Sequence, residues 1–321
     1  MRIATFNLEN LGSDTNPAKA ENRRRVLRPQ LERLSADILC LQEIDAPKKA
    51  GQRSPAALHD LIESTPYADY ALAITAGRKG TGPADIHNLV ILSRFPVLET
   101  ADIRQSLVSP PRWRMQTADP ACPEPVPIEW DRPLQQAALA LPTGRTLHLF
   151  NVHLRAPLAA RIPGQKTGPF EWKSVSGWAE GFFLSSLKRT GQALELRLAV
   201  EAVFDADPDA LVAVCGDFNA EDHDTALRLA CAADDDTGSG HLSPRVLTPV
   251  GRSLPAERRY TVLHHGRPQM IDHLLASRAL FGKLRSVEIH NEMLSDELVA
   301  FGRIDHPPES MHAPLVAEFA D

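Results

Sequence analysis

Short runs rich in Ile, Val, Leu and Phe recur along the chain, at 2–6, 37–42, 68–74, 87–93, 135–141, 146–152, 211–216, 271–276, 284–290 and 314–319. Runs of this length and composition read as strands. Between them the apolar spacing changes to that of helices. Residues 21–35 carry Val26, Leu27, Leu31 and Leu34 on one side and arginines on the other. Residues 56–64 and 224–233 are shorter candidates, and 187–204 align Leu187, Leu194, Leu198 and Ala202 as a stripe. Strands outnumber helices and the helices are interspersed, which predicts packed sheets with helices outside, an α/β sandwich.

Two stretches break the pattern. Residues 109–133 hold seven prolines, which fix φ and remove backbone donors, so this is loop or sheet edge. Residues 155–186 mix Gly and Pro with Trp172, Trp178, Phe182 and Phe183. Strand signals resume on both sides of each stretch. The expectation is therefore one domain over 1–321 with insertions at about 105–133 and 155–186. Apolar residues make up 43% of the chain and charged ones 24%, which excludes a disordered or fibrous protein. No run has the ~18 apolar residues of a membrane span. A net charge of −6 disfavours a non-specific nucleic-acid coat protein, although a locally basic cleft fits an acidic body. Cys40, Cys122, Cys215 and Cys231 show no metal or disulfide spacing, and residues 1–7 read as a strand instead of a secretion leader. A cytoplasmic location is expected.

Several apolar runs stop abruptly at a carboxylate, amide or imidazole. Phe6 leads to Asn7; Leu39-Cys40-Leu41 to Gln42-Glu43; Phe150 to Asn151-Val152-His153; Cys215 to Gly216-Asp217-Phe218-Asn219; Ile271 to Asp272-His273. His312 stands just before Pro314-Leu315-Val316. Strand ends that share one edge of a sheet converge on one point. Hydrolysis of a phosphate ester needs such a set: hard oxygen ligands for a divalent cation, a base for water, and donors to the phosphoryl oxygens.

The ordered set Phe6-Asn7, Leu41-Gln42-Glu43, Asn151-Val152-His153-Leu154, Gly216-Asp217-Phe218-Asn219, Ile271-Asp272-His273 and Ser310-Met311-His312-Ala313-Pro314 resembles the endonuclease/exonuclease/phosphatase superfamily. The run Asn88 to Pro96 also resembles that family's central strand and turn. Each motif alone is weak, but six in order are strong. The resemblance implies a four-layer α/β sandwich, two packed, mainly antiparallel sheets flanked by helices. It implies Mg²⁺, with Mn²⁺ as a substitute, at Glu43 with Asn7 beside it. Asp217 would prepare the attacking water and Asn219 contact phosphate or the ion. His312 would meet the scissile phosphate with Asp272 holding its ring, while His273 is a neighbour. His153 would act as general acid or phosphate donor, as in the Asn-x-His-Leu branch. Taken singly, each of these residues has a structural reading, such as an Asx-turn at Asp217 or a core histidine at 312.

One motif departs from the family. Where Ser-Asp-His is usual, this chain has Ser310-Met311-His312, and a thioether is a poor ligand for Mg²⁺. Asp305, six residues earlier, is a candidate substitute reaching in through a loop. Arg155, two residues past His153, is the expected phosphate contact. Arg161, Lys166 and Lys173 lie among the aromatics of 155–186, which suits stacked bases, although local packing is expected for most of these rings. The expected activity is metal-dependent hydrolysis of a phosphate ester, most of all a phosphodiester, nucleic acid included. A phosphomonoesterase acting on a sugar, inositol or lipid headgroup is the alternative, and Met311 motivates a third reading, a non-catalytic binding protein.

Overall fold

Alternation along the central strands sorts their side chains between separate apolar layers. The computed structural model describes residues 1–49, 51–80, 82–299 and 307–321. In chain order the sheet strands are β1 (Arg2–Leu11), β2 (Ile38–Ile44), β3 (Ala71–Ile74), β4 (Asn88–Ser93), β5 (Val97–Ile103) and β6 (Leu134–Ala140). They continue with β7 (Thr146–His153), β8 (Leu211–Asp217), β9 (Leu247–Pro249), β10 (Asp272–Ser277), β11 (Leu284–Ile289) and β12 (Leu315–Phe319). One six-stranded sheet has the order β11-β12-β1-β2-β4-β3 and the other β9-β10-β8-β7-β6-β5. The central pairs β1–β2 and β7–β8 are parallel and their neighbours antiparallel.

Ile3, Ile38, Cys40, Leu147, Leu149, Leu211, Ala213 and Cys215 meet in the layer between the sheets. The alternate positions Ala4, Phe6, Leu39 and Leu41 face outward onto α1 (Pro17–Leu34) and α2 (Ala56–Ile62). On the other side, Phe150, Val152, Val212 and Val214 pack under α3 (Val175–Ala206) and α4 (Thr225–Cys231). The result is helix, sheet, sheet, helix, the four layers expected. Each leucine or phenylalanine fully buried here contributes about 1.5–3 kcal/mol. Asn16 starts α1 by accepting from Ala18 N (2.9 Å), with Pro17 in the first turn. No helix among the described residues is long and apolar enough to cross a membrane.

Three sequence expectations need correction. The helix predicted over 187–204 begins at Val175, so much of the irregular stretch 155–186 is helical. Its first turns contain Gly177 and Gly181, which weaken the helical signal. At Gly181 a Cβ would meet the Ala160 carbonyl oxygen at 2.3 Å, so the segment crossing the helix there demands glycine. The stripe was also assigned to the wrong face. Leu194 and Leu198 are each 40% exposed, and Ala193, Leu196, Val200 and Val203 pack on the sheet instead. Apolar residues on both sides made the face ambiguous. Finally, β5 gave no strand signal because it is an edge strand whose middle residues are exposed.

The proline-bearing segment is fastened to α3 by two carboxylates. Glu195 accepts from Trp130 Nε1 (2.8 Å), Gln105 N (2.9 Å) and Leu107 N (3.0 Å). Glu180 accepts from Trp113 Nε1 (2.8 Å), Gln116 N (2.6 Å) and Thr117 N (2.8 Å). A small core of Ile128, Trp130, Ile162 and Leu184 fills the space between, with Trp172 packed against it. Trp178, Phe182 and Phe183 stay 44%, 37% and 45% exposed, yet they too pack locally: Trp178 stacks on Phe182 (centroids 5.5 Å apart) and Phe183 lies against Trp113 (4.8 Å).

Candidate active site

The inward-facing rows continue past the apolar layer into polar groups. Two residues beyond Thr5 stands Asn7, beyond Cys40 stands Gln42, beyond Leu149 stand Asn151 and His153, and beyond Cys215 stands Asp217; Asp272 is two residues before Leu274. A period of two therefore carries the core directly into the site. Gln42 and Asn151 close the core beneath it. Gln42 Nε2 donates to Asn151 Oδ1 (2.7 Å), and Asn151 Nδ2 donates to the Leu41 and Val90 carbonyls (3.1 Å each).

Above this strut the expected residues gather. Asn7 Nδ2 donates to Glu43 Oε1 (3.3 Å) and to Asp217 Oδ2 (3.1 Å). His153 Nε2 lies 3.3 Å from Asp217 Oδ2 and 3.7 Å from Glu43 Oε1. His312 Nδ1 and Asp272 Oδ2 are 2.8 Å apart. Asp217, Asp272 and His312 each bring one atom within 4.8 Å of the others. Asp217 and Asp272 are register partners on neighbouring strands, so two carboxylates face each other with the His312 ring as their cation.

Electrostatics separates the two imidazoles. Burial opposes charge on His312, but Asp272, Asp217 and Glu9 outweigh it and hold its pKa well above the ordinary value. His312 is an imidazolium at neutral pH. Burial, Arg132, His87 and His312 push His153 well below its ordinary value, so it is neutral. Burial, with the Asp272 charge, pushes the Asp217 carboxyl up to about 7, and His312 opposes the rise. A base poised near neutrality is well matched to deprotonating water.

The backbone around the cluster is held in unusual conformations. Glu9, Asn10, Glu43, His87 and Asn219 all have positive φ, between 42° and 60°. Such strain concentrates at functional sites. Gly216 (φ 140°) sits where a Cβ would lie 1.9 Å from the Val152 carbonyl oxygen, so only glycine lets β8 bring Asp217 this close to β7.

Three expected residues differ in detail. Asn7 Oδ1, expected to face a metal, accepts from Glu9 N (2.9 Å), so Asn7 turns its amide nitrogen to the carboxylates. Arg155 is occupied elsewhere: Nη1 pairs with Asp131 Oδ2 (3.3 Å) and Nη2 donates to the Leu158 carbonyl (3.2 Å). Asn219 Nδ2 donates to the Leu154 carbonyl (3.1 Å), which fixes the turn after Asp217. His273 is a core residue, its Nε2 paired with the Ala220 carbonyl at 2.9 Å. Asp305 lies outside the described residues.

Three site residues were missed. Arg132 Nη1 is buried without a hydrogen-bond partner among the described residues. Burial lowers its pKa while Glu43, Asp217 and Asp131 raise it, so its guanidinium sits in the field of the site's carboxylates. His87 Nε2 lies 4.0 Å from Glu43 Oε2 and pairs with Asn10 Oδ1 at 2.7 Å. Glu9 accepts from Met311 N at 2.7 Å through Oε2. A signal for the first two existed. β4 and β6 run antiparallel to β2 and β7, so their starts, where His87 and Arg132 stand, reach the same edge as the ends of β2 and β7.

Residues 4–296 match the sequence profile described as the Endonuclease/Exonuclease/phosphatase family. The chain belongs to that family. No curated protein is similar to it in sequence. Its fold is similar to that of the Bacteroides thetaiotaomicron VPI-5482 mannosyl-6-phosphatase, at 16% identity, TM-score 0.60, with 100% of each chain covered. It is also similar to the 3′ phosphatase NExo from Neisseria, solved with product DNA hairpin, at 18% identity and TM-score 0.53, covering 100% of this chain and 99% of that one. An AP endonuclease from Archaeoglobus fulgidus is 17% identical with TM-score 0.55, each chain 99% covered. At such identities the likeness is one of fold.

Members of the endonuclease/exonuclease/phosphatase family are metal-dependent phosphoester hydrolases, and this chain is an enzyme of that kind, not the binding protein that Met311 had suggested. The site residues fit a hard divalent cation. Their donors are carboxylate oxygens, no thiolate among them, and one buried oxygen, Asp272 Oδ1, has no hydrogen-bond partner among the described residues.

Proposed function

We propose that the enzyme cleaves a phosphodiester, with nucleic acid as the substrate class, and that Mg²⁺ or Mn²⁺ is held at Glu43. The charge balance of the site carries this reading. Glu9, Glu43, Asp217 and Asp272 face the cations Arg132 and His312, while His153 and His87 are both shifted toward the neutral form by burial. With a divalent cation added, these four carboxylates still leave no net positive charge, so nothing in the site balances the second charge of a monoester, and a singly charged diester is favoured. Trp178 and Phe182 stack on each other and Phe183 lies against Trp113, and the faces these rings leave exposed on α3 suit stacking on bases.

A cation at Glu43 supplies charge to the phosphoryl and leaving oxygens. The protein's own groups divide the rest. Asp217 takes the proton of the water that attacks phosphorus, as the bond to the leaving oxygen breaks. Arg132 and His312 donate to the non-bridging oxygens, where charge collects. Asp272 fixes the His312 ring and keeps it protonated. His153, being neutral, serves better as a hydrogen-bond donor through Nε2 than as a general acid.

Hydrolysis of bis-p-nitrophenyl phosphate, p-nitrophenyl phosphate, single- and double-stranded DNA, RNA, sugar phosphates and phospholipids, each with Mg²⁺ and Mn²⁺, tests the reading. Diester cleavage should exceed monoester cleavage at least tenfold. The reverse preference would overturn the diester assignment and support a phosphomonoesterase.

A further inference from the structure

No partner among the described residues holds Arg132 Nη1, so the placing of this guanidinium falls to the backbone that carries it. That backbone is gripped from three directions. Arg78 Nη2 donates to the Trp130 carbonyl (2.7 Å), Arg104 Nη1 to the Asp131 carbonyl (3.1 Å) and Gln192 Nε2 to the Arg132 carbonyl (3.3 Å). Arg78 is exposed and Arg104 half-buried, whereas Gln192, on α3, is 1% exposed. Pro133 follows, and a residue before proline is biased to extended conformations, which narrows the remaining freedom of Arg132. The helix is shaped to receive this segment. Lys188, Gln192 and Glu195 share one face by the spacing i, i+4, i+7, and they reach the Asp131 carboxylate (2.7 Å), the Arg132 carbonyl and the Trp130 indole (2.8 Å). Between them Gly191 leaves room for the Trp130 ring, where a Cβ would lie 2.3 Å from Cη2.

Gln192 makes a second bond. Its Oε1 accepts from Arg155 N (2.9 Å), two residues past His153 at the end of β7. Leu154 N, between them, donates to the Asp217 carbonyl (2.9 Å), and His153 and Asp217 are register partners. One amide therefore joins the turn bearing Arg132 to the paired strand ends bearing His153 and Asp217. The Arg155–Asp131 ion pair (3.3 Å) links the same turn to the same strand end nearer the surface. A primary amide carries a donor and an acceptor side by side; neither an ionised carboxylate nor an apolar chain of that length offers both. Misplacing a catalytic group by about 1 Å can cost about 10²-fold in rate, so the residue that sets the Arg132 backbone acts on the chemistry from outside the cluster.

We propose that Gln192 is a positioning residue for the reaction: tethered to the end of β7 through Arg155 N, it fixes the backbone of Arg132 so that the guanidinium meets the phosphoryl oxygens. The proposal rests on the reading that Arg132 contacts phosphate. It places on α3 a residue on which turnover depends.

A double-variant cycle tests this. The wild type, Gln192→Met, Arg132→Met and the double variant are compared in steady-state hydrolysis of bis-p-nitrophenyl phosphate with Mg²⁺, with urea unfolding followed for each. Methionine keeps the length of the side chain and removes both hydrogen bonds. Gln192→Met should lower kcat/KM at least tenfold, divided between kcat and KM as in Arg132→Met. In the Arg132→Met background the same change should cost less than twofold, because the group it positions is gone. Gln192→Glu keeps the acceptor for Arg155 N and puts an oxygen in place of the donor to Arg132. It should show the same dependence on Arg132, and it decides the question should the methionine variant not fold. Equal losses with and without Arg132 would assign Gln192 to the fold alone and overturn the proposal. Wild-type kcat/KM in both Gln192 variants, with Arg132→Met impaired, would also overturn it and leave the phosphate contact standing. A wild type that does not cleave this diester, or an Arg132→Met variant that matches the wild type, would remove the reading beneath the proposal and the proposal with it.

Discussion

Replacing Arg132 by methionine separates what this guanidinium does for the fold from what it does for the reaction. Methionine keeps most of the aliphatic volume and removes the charge. For stability two effects oppose each other. Arg132 Nη1 is buried without a partner among the described residues, and an unsatisfied buried donor costs about 1–3 kcal/mol. Against this, Glu43, Asp217 and Asp131 attract the cation. With the two terms similar in size, the unfolding free energy in EDTA should change by less than about 1 kcal/mol, and an increase is as acceptable as a decrease. For the reaction there is no such cancellation. A charge-assisted hydrogen bond to a phosphoryl oxygen is worth about 1.5–3 kcal/mol, so kcat/KM should fall about 10- to 150-fold. The assay is steady-state hydrolysis of bis-p-nitrophenyl phosphate with Mg²⁺, with urea unfolding alongside. A loss concentrated in KM would place the contact equally in ground and transition states, and a loss in kcat would place it in the transition state. Arg132→Lys should recover only part of the activity, since a point charge does not reproduce the planar fork. A methionine variant with wild-type kcat/KM and unaltered stability would refute the argument, because the guanidinium would then face neither the carboxylates nor the phosphate.

Other perturbations test the neighbouring groups. Asp272→Asn removes the main partner that keeps His312 protonated; turnover should fall about 10²-fold or more, and the alkaline limb of the pH–rate profile should move to lower pH. An unmoved limb would detach His312 from that limb. Burial would raise the Glu180 carboxyl, but bonds from the Thr117 hydroxyl, the Trp113 indole and the Gln116 and Thr117 amides outweigh it and bring it below its ordinary 4.5. The unfolded chain therefore takes up this proton at higher pH than the folded one, and the stability Glu180 adds is present above the ordinary value and disappears as pH falls through the folded value. Glu180→Gln should lower the unfolding temperature at about pH 7, and the gap from wild type should close toward about pH 3; a constant gap would contradict the ionic role. Gly216→Ala places a Cβ 1.9 Å from the Val152 carbonyl oxygen and should cost more than about 2 kcal/mol in urea unfolding.

What the sequence disclosed and what it concealed follow from one geometric rule. A buried strand announces itself by apolar residues, and a polar residue closing such a run is conspicuous; this is how Asn7, Glu43, His153, Asp217 and Asp272 were found. Arg132 and His87 stand at strand beginnings, where an antiparallel neighbour brings the chain to the same edge, and no apolar run precedes them to frame them. Glu9 lies two residues past Asn7, on the same side by the period of two, but the bulge between Asn7 and Leu11 interrupts the strand there and no apolar run ends at Glu9 to mark it. Arg155 pairs with Asp131, a partner on a separate loop that the two-residue spacing from His153 does not reveal. The edge strand β5 and the early turns of α3 escaped because exposure and glycine erase the pattern that burial writes elsewhere.

The two glutamates of α3 have an effect at a distance. Trp130 is clamped by Glu195 and lies two residues before Arg132, and Trp113 is clamped by Glu180, two residues past the exposed Trp178. About 22 Å of α3 thus joins the aromatic cluster around Trp178 to the turn that ends at Arg132. A substitution at either glutamate therefore frees one end of the segment whose other end is fixed on the same helix.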